Sequence, residues 1–158
     1  MGNVNVLKGV LETMKIVFGC DHAGYPLREP VLKHLREKGY EVVDVGCYTP
    51  DPVDYPVIGE KAARKVASGE CELGVIVCGT GIGISVAANH VRGVHAAACS
   101  EPYSAEMARR HNNVNIISFG ARVVGEGLAC AIVDAFLNAK FEGGRHAERL
   151  AMIDRIEP

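Results

Sequence analysis

From Met14 onward, short apolar runs alternate along the chain with longer amphipathic segments. This alternation is typical of a parallel β-sheet flanked by helices. The pattern predicts five strands, at residues 15–19, 41–45, 73–77, 94–99 and 114–119. It predicts helices at about 27–38 and 55–68, after the glycine-rich segment 79–83, from near Pro102, and at about 123–139 and 145–156. We therefore expect an α/β fold with a central five-stranded parallel sheet.

The first 13 residues lie outside this pattern. Val4, Leu7, Val10 and Leu11 have helical spacing, so a short helix is one interpretation. We expect residues 1–13 to be an N-terminal extension, from the choice of start site, or a remnant of cloning. Residues 14–158 are then expected to form a single domain, since a chain of 158 residues has an ordinary single-domain length.

Composition excludes several classes of function. The net charge is only −2, so neither nucleic acid nor an anionic membrane is an expected partner. No apolar run approaches the roughly 20 residues that span a bilayer, and the N-terminus does not predict secretion. The six cysteines form no close CxxC pair and no zinc-like pairing with the six histidines. We therefore expect reduced thiols, a cytoplasmic location and no metal site.

Polar and reactive residues follow three of the predicted strands. The segments are Cys20-Asp21-His22-Ala23-Gly24, Cys78-Gly79-Thr80-Gly81-Ile82-Gly83 and Gly120-Ala121-Arg122. Because open parallel sheets bind ligands beyond the carboxyl ends of their strands, these segments are the first candidates for a site. Gly79–Gly83 opens a helix, where free backbone N–H groups favour an anion such as a phosphate or an enediolate oxygen. A tight strand-to-helix turn explains the glycines equally well.

Cys78 is a candidate reactive thiol, because a helix N-terminus lowers the pKa of a cysteine. The alternative is a small buried apolar side chain, which is the commoner fate of a free cysteine. Arg145 and Arg149 lie four residues apart on one helix face and could clamp a phosphate, or could be solvated beside Glu142 and Glu148.

Three of the six histidines differ in how well their sequence context supports a functional role. His111 near a helix end could serve chemistry or a C-terminal cap interaction. His22 beside Asp21 could be an oriented imidazole or a turn residue. His146 stands in no comparable context, and we expect it to be structural or exposed to solvent.

Five segments in order identify a resemblance. They are Gly19–Gly24, Val53-Asp54-Tyr55-Pro56, Cys78–Gly83, Arg110-His111-Asn112 and Gly120-Ala121-Arg122. Together they resemble the type B ribose-5-phosphate isomerases, from Met14 almost to the C-terminus. The resemblance implies a Rossmann-like three-layer sandwich and a homodimer or dimer of dimers with active sites where subunits meet. It further implies a cofactor-free aldose–ketose isomerase of the non-oxidative pentose phosphate pathway.

The resemblance also implies roles for individual residues. Cys78 is similar to the base that moves a proton between the first two sugar carbons, with Thr80 as its hydroxyl partner. His111 resembles the group that helps to open the furanose ring. The glycine-loop positions that would face the enediolate are Gly79, Gly81, Ile82 and Gly83. The sugar-contacting positions are Asp21, Asn112 and, least defined in role, Tyr48, and the phosphate positions are His22, Arg122, Arg145 and Arg149.

Two other functions stay open on the sequence alone. Related proteins with this loop act on six-carbon sugar phosphates, such as allose 6-phosphate or galactose 6-phosphate, and only pocket depth would separate the substrates. A non-catalytic sugar-phosphate-binding module is the alternative of another class. Cys78, Thr80 and His111 argue against it, because binding alone needs no base.

Overall fold

The computed structural model describes residues 4–7 and 10–156. The strands are β1 (Val4–Leu7), β2 (Val10–Thr13), β3 (Lys15–Cys20), β4 (Glu41–Asp44), β5 (Leu73–Cys78), β6 (Ala96–Ala98) and β7 (Ile116–Gly120). The α-helices are α1 (Arg28–Glu37), α2 (Tyr55–Ala67), α3 (Ile82–Asn89), α4 (Pro102–Asn112), α5 (Glu126–Asn138) and α6 (Arg145–Ile153). A 3₁₀ turn at Tyr25–Leu27 precedes α1.

Five strands form one parallel sheet in the order β4-β3-β5-β7-β6. Cys20 of β3 lies opposite Val77 of β5, and Cys78 lies opposite Gly120 of β7. Three neighbouring strands therefore end at the same level. The chain leaves β3 toward β4 on one side, while β5 lies on the other, so the strand order reverses beside these ends. Such a switch point is where ligands bind in open α/β sheets.

Alternation of apolar side chains along the central strands builds two cores. Phe18, Val75 and Phe119 pack into the core that includes α1, α4 and α5. Val17 and Ile76 point the other way, into the core with α2 and α3. Because successive side chains of a strand face opposite sides, a continuous apolar run can serve both cores. The predicted three-layer α/β architecture is confirmed.

The structure differs from the predicted elements in places. The helical interpretation of the first residues is wrong: β1 and β2 pair as an antiparallel hairpin. The alternation Val4-Asn5-Val6 has period two, and valine is β-branched, so strand spacing describes the segment better. β6 is shorter than predicted, and α5 begins three residues late because the Val123 N–H bonds the Gly120 carbonyl in a turn. Among the described residues, no helix has the length and apolar character needed to cross a membrane.

Candidate active site

The loop after β5 is arranged around the sulfur of Cys78. The backbone N–H of Gly81 donates a hydrogen bond to the Cys78 Sγ, with 3.1 Å between the two heavy atoms. Cys78 is 4% exposed, whereas Thr80 and Ile82 are open to solvent. The Thr80 Oγ1 accepts a bond of 3.3 Å from the N–H of Ile82. The loop thus fixes a shielded thiol beside an exposed hydroxyl at the N-terminus of α3.

Glycines allow this loop to lie against β7. Gly81 has φ of 80°, and a Cβ there would lie 2.7 Å from the Cα of Phe119. A Cβ on Gly120 would lie 2.4 Å from the carbonyl oxygen of Gly79. The buried Ser118 hydroxyl donates a 2.8 Å bond to the Gly81 carbonyl. The glycine loop is therefore a tight turn and also a firmly held support for Cys78, so the two interpretations of the glycines are compatible.

Asp21 and His22 follow the neighbouring strand at the same edge. Asp21 is 5% exposed, and its Oδ1 accepts a 2.8 Å bond from the N–H of Gly24. The Asp21 N–H donates to the carbonyl of Val77, which ties the end of β3 to the end of β5. His22 is exposed, and its Nδ1 lies 3.2 Å from the backbone nitrogen of Val53. Within the described residues, Val53 rather than Asp21 holds this imidazole.

Arg122 brings positive charge to the glycine loop. A Cβ added to Gly79 would lie 3.2 Å from the Arg122 Nη1, so the guanidinium extends over the loop backbone. The Arg122 N–H also bonds the carbonyl of Gly79, at 3.1 Å. Arg122 is exposed and forms no ion pair with any residue in the range 13–156. An anion bound at the loop would meet a free guanidinium.

Tyr48 lies on the β4 side of the same edge. The Arg28 guanidinium lies over its ring, 5.0 Å from the ring centre, and also pairs with the Asp44 carboxylate. The Tyr48 hydroxyl donates a 3.0 Å bond to the Asp44 carbonyl. Tyr48 is nevertheless 66% exposed. Its ring is thus held in place while the rest of its surface stays exposed.

The other candidate residues gather where α4 ends and α6 begins. The rings of His111 and His146 are stacked, with centroids 4.2 Å apart and planes 6° from parallel. The Glu142 Oε2 lies 3.8 Å from the His111 Nε2 and 3.5 Å from the His146 Nε2. The Glu142 Oε1 accepts a 2.6 Å bond from the Arg110 Nε. We call His111, Glu142 and His146 the histidine cluster.

The charge states in the histidine cluster have identifiable causes. The bond from Arg110 lowers the pKa of Glu142, so this carboxylate is ionised. Burial, with the nearby His111 and Arg145, lowers the pKa of His146. His146, which we expect from the sequence to be structural or exposed to solvent, is 8% exposed and is stacked on a candidate catalytic residue.

Arg145 and Arg149 are exposed on α6 beside the histidine cluster. Glu142, one of the two carboxylates that could pair with them, pairs instead with Arg110. Across residues 13–156, neither Arg145 nor Arg149 forms an ion pair. Asn112, the last residue of α4, is also exposed. These side chains are free to meet an anion.

The two groups of candidate residues lie at opposite edges of the sheet. Cys78, Asp21 and Arg122 follow the carboxyl ends of their strands. His111 lies in the last turn of α4, and a short connection leads from this helix to the amino end of β7. In that connection, the N–H of Asn115 donates a hydrogen bond to the carbonyl of His95, just before β6. A strand of five residues is roughly 17 Å long. One chain therefore does not bring His111, Arg145 and Arg149 to Cys78.

The other five cysteines share one property, a pKa raised mainly by burial. The pKa reaches about 12 for Cys20, with Cys47 contributing, and about 11 for Cys71 and for Cys99. It is also raised for Cys47 and Cys130. These thiols stay neutral at neutral pH. A thiolate in this protein is therefore not expected at any of these five positions.

Comparison with known proteins identifies the family. A family model described as Ribose/Galactose Isomerase matches residues 16–153. The chain belongs to this family. It is 50% identical to Ribose-5-phosphate isomerase B of Escherichia coli (strain K12) over 143 residues, 90% of this chain and 96% of that protein. It is 44% identical to Galactose-6-phosphate isomerase subunit LacB of Clostridium acetobutylicum over 129 residues, 82% of this chain and 75% of that protein.

A solved structure extends the likeness to the backbone. The structure of Clostridium thermocellum Ribose-5-Phosphate Isomerase B superposes with a TM-score of 0.87 at 51% identity, covering 89% of this chain and 95% of that one. The fold of the ribose/galactose isomerase family is thus the fold of this chain. What sequence reasoning missed near the candidate site is the contact of Glu142 and His146 with His111. The segment Glu142-Gly143-Gly144-Arg145-His146 places them beside a predicted arginine clamp, which was the available signal.

Proposed function

We propose that this chain interconverts ribose 5-phosphate and ribulose 5-phosphate through an enediolate, as a cytoplasmic enzyme of the non-oxidative pentose phosphate pathway. The observation that carries the proposal is the position of the Cys78 thiol at the switch point of the sheet, where its sulfur accepts a hydrogen bond from the Gly81 N–H. The chain that places it there belongs to the ribose/galactose isomerase family. A site that only binds a sugar phosphate needs hydrogen-bond donors for the anion, but it needs no shielded thiol. Cys78 is the proposed base.

The proposed reaction needs a base near C2 and donors for the oxygen on which negative charge develops. Cys78 takes the C2 proton and returns it at C1, while the hydroxyl proton on O2 is transferred to O1, so no electrons leave the substrate. The exposed Thr80 hydroxyl is within the same loop, and N–H groups at the start of α3 face the carboxyl edge. Asp21 would contact a sugar hydroxyl from the end of β3.

A second copy of the chain would complete the site. His111, Asn112, Arg145 and Arg149 lie at the far edge of their own sheet, so they can reach Cys78 only from a partner. His111 would then assist ring opening, while both arginines join His22 and Arg122 at the phosphate.

Exposed apolar side chains support a homodimer, or a dimer of dimers. Ile82 and Val86 are 60% and 55% exposed on α3, next to the glycine loop. Met152 and Ile153 are 63% and 51% exposed at the end of α6. Apolar surface of this kind, next to the proposed site, is suited to a subunit interface.

A six-carbon sugar phosphate is the second candidate substrate. It is favoured by the 44% identity to a galactose-6-phosphate isomerase subunit. The proton transfer would be the same, with a deeper pocket. Steady-state isomerisation of ribose 5-phosphate, allose 6-phosphate and galactose 6-phosphate, with EDTA present, separates the two.

We expect the highest kcat/KM on ribose 5-phosphate. A preference for a six-carbon substrate would keep the chemistry and change the substrate. Absence of turnover on all three would reject the isomerase and favour the binding module.

Subunit complementation tests whether the site is shared. Cys78→Ala and His111→Ala proteins are each inactive in this scheme, and they are unfolded together and refolded as a mixture. Random assortment makes half of the dimers mixed, and each mixed dimer has one intact site of two, so about one quarter of wild-type activity returns. A site contained in one chain predicts no recovery, and that result would refute the shared site.

A further inference from the structure

We infer that Glu142 and His146 are positioning residues for His111, which hold its imidazole for the ring-opening step; this inference rests on the proposed function. In that step the bond between C1 and the ring oxygen breaks, the ring oxygen gains a proton, and the C1 hydroxyl loses one to become the aldehyde. A group that delivers a proton must be held in a defined orientation, since a displacement of about 1 Å costs roughly a hundredfold in rate.

Stacking fixes the plane of the His111 ring. His146 lies against it at 4.2 Å and nearly parallel, and His146 is itself buried. His111 is the last residue but one of α4, where a side chain would otherwise have rotational freedom. The contact therefore limits rotation of an imidazole that keeps about 37% of its side chain exposed to a ligand.

The Glu142 carboxylate lies within ion-pair distance of the ring edge of His111. Its Oε2 faces the Nε2 atoms of both histidines, while its Oε1 is bonded by Arg110. The Glu142 N–H also donates a 3.0 Å bond to the Arg110 carbonyl, so backbone and side chain are both anchored to the end of α4. A carboxylate held in this way places a negative charge at a fixed position beside the His111 imidazole, and so favours an orientation in which the Nε2 faces it.

A divalent cation is the rival explanation of two imidazoles and one carboxylate. One donor atom from each residue lies within 4.8 Å of the others. However, Arg110 is bonded to the same carboxylate, and Arg145 and Arg149 are close enough to lower the pKa of His146. Three guanidinium groups repel a cation. The surroundings therefore favour the positioning role.

The test separates ring closure from proton transfer in one experiment. Ribulose 5-phosphate is incubated with the enzyme in D₂O, and NMR follows two rates: exchange of the C1 hydrogen for deuterium, and formation of ribose 5-phosphate. Exchange requires only Cys78 and the enediolate, whereas ring closure on the enzyme is also assisted by His111; spontaneous closure of released aldehyde sets the background rate. In Glu142→Gln, we expect formation to fall by about tenfold or more while exchange stays within about twofold.

Further variants distinguish positioning from a general structural effect. His146→Ala should give the same divergence of the two rates, and His146→Phe, which returns a flat ring, should restore part of the formation rate. Glu106→Gln is the matched control, because it removes the other carboxylate on Arg110 and leaves the histidine cluster intact. We expect it to change neither rate by more than about twofold.

Three outcomes would overturn the inference: unchanged formation in Glu142→Gln and His146→Ala, an equal fall in both rates, or activity lost in EDTA and restored by zinc. Wild-type enzyme without exchange or formation would reject the proposed function itself, and the inference with it. A fall in formation alone has no such consequence for the proposed function.

Discussion

The two edges of the sheet hold different kinds of site. At the carboxyl edge, backbone geometry does most of the positioning: Gly81 bonds the sulfur of Cys78, and glycines let the loop lie against β7. At the amino edge, side chains position one another through stacking and an ion pair, around His111. The first arrangement is shielded and rigid, and the second is open and charged. This contrast is compatible with the proposed base at the carboxyl edge and the proposed phosphate clamp at the amino edge.

The largest expected effect comes from removing the sulfur at the carboxyl edge. In Cys78→Ala, we expect kcat to fall by about a thousandfold, since general bases contribute roughly 10²–10⁴-fold. Steady-state assays on ribose 5-phosphate measure it. Cys130→Ala, which changes a half-buried cysteine on α5, is the control and should leave kcat nearly unchanged. A kcat within tenfold of wild type for Cys78→Ala would remove the sulfur from the mechanism.

The glycines of the two edges allow a matched comparison of rigidity. Gly81 and Gly143 have φ of 80° and 67°, but an added Cβ meets the Phe119 backbone only at Gly81. Gly143→Ala should lower the free energy of unfolding by about 1 kcal/mol, the cost of a left-handed backbone. Gly81→Ala should lower it by about 3 kcal/mol, because steric overlap adds to that cost. Urea denaturation measures both, and equal losses would contradict the tight packing of the glycine loop.

Sequence reasoning named candidate residues at both edges, but it did not predict the contacts that hold the amino edge together. Cys78 and its glycines are consecutive in the chain, so a strand followed by a glycine-rich turn reveals them. The pair of Arg110 with Glu142 joins residues 32 apart, and it forms only because α4 ends where α6 begins. The stacking partner of His146 was missed for the same reason. It is set by the packing of two helices, which no local spacing encodes.

Variants that test phosphate recognition at the amino edge should have effects of intermediate size. Arg145→Ala and Arg149→Ala should each raise KM for ribose 5-phosphate by about tenfold or more, since a charge-assisted hydrogen bond contributes roughly 1.5–3 kcal/mol. We expect kcat to change less, because the phosphate is bound in ground and transition states alike. Arg36→Ala, an exposed arginine on α1, is the control. Unchanged KM in both variants would exclude the clamp.

The smallest expected effect is the dependence of stability on pH at the amino edge. Because the pKa of His146 is lowered in the folded protein, the unfolded chain binds a proton at this residue more readily. The contribution of neutral His146 to the free energy of unfolding is therefore fully present above pH 6.5, the ordinary pKa of histidine. It is lost as the pH falls through the lowered pKa of the folded protein. The groups facing it are His111, Arg145 and Arg149, which lower the pKa, and Glu142, which raises it.

Urea midpoints measured between pH 7.5 and 5 test this linkage, because a histidine in the unfolded chain titrates near its ordinary pKa of about 6.5, which falls within that interval. His146→Gln cannot take up the proton, so its midpoint should decline less steeply with acidification than that of the wild type. His90→Gln, at an exposed position after α3, should follow the wild-type slope. Parallel slopes for all three proteins would mean that protonation of His146 does not affect the stability of the fold.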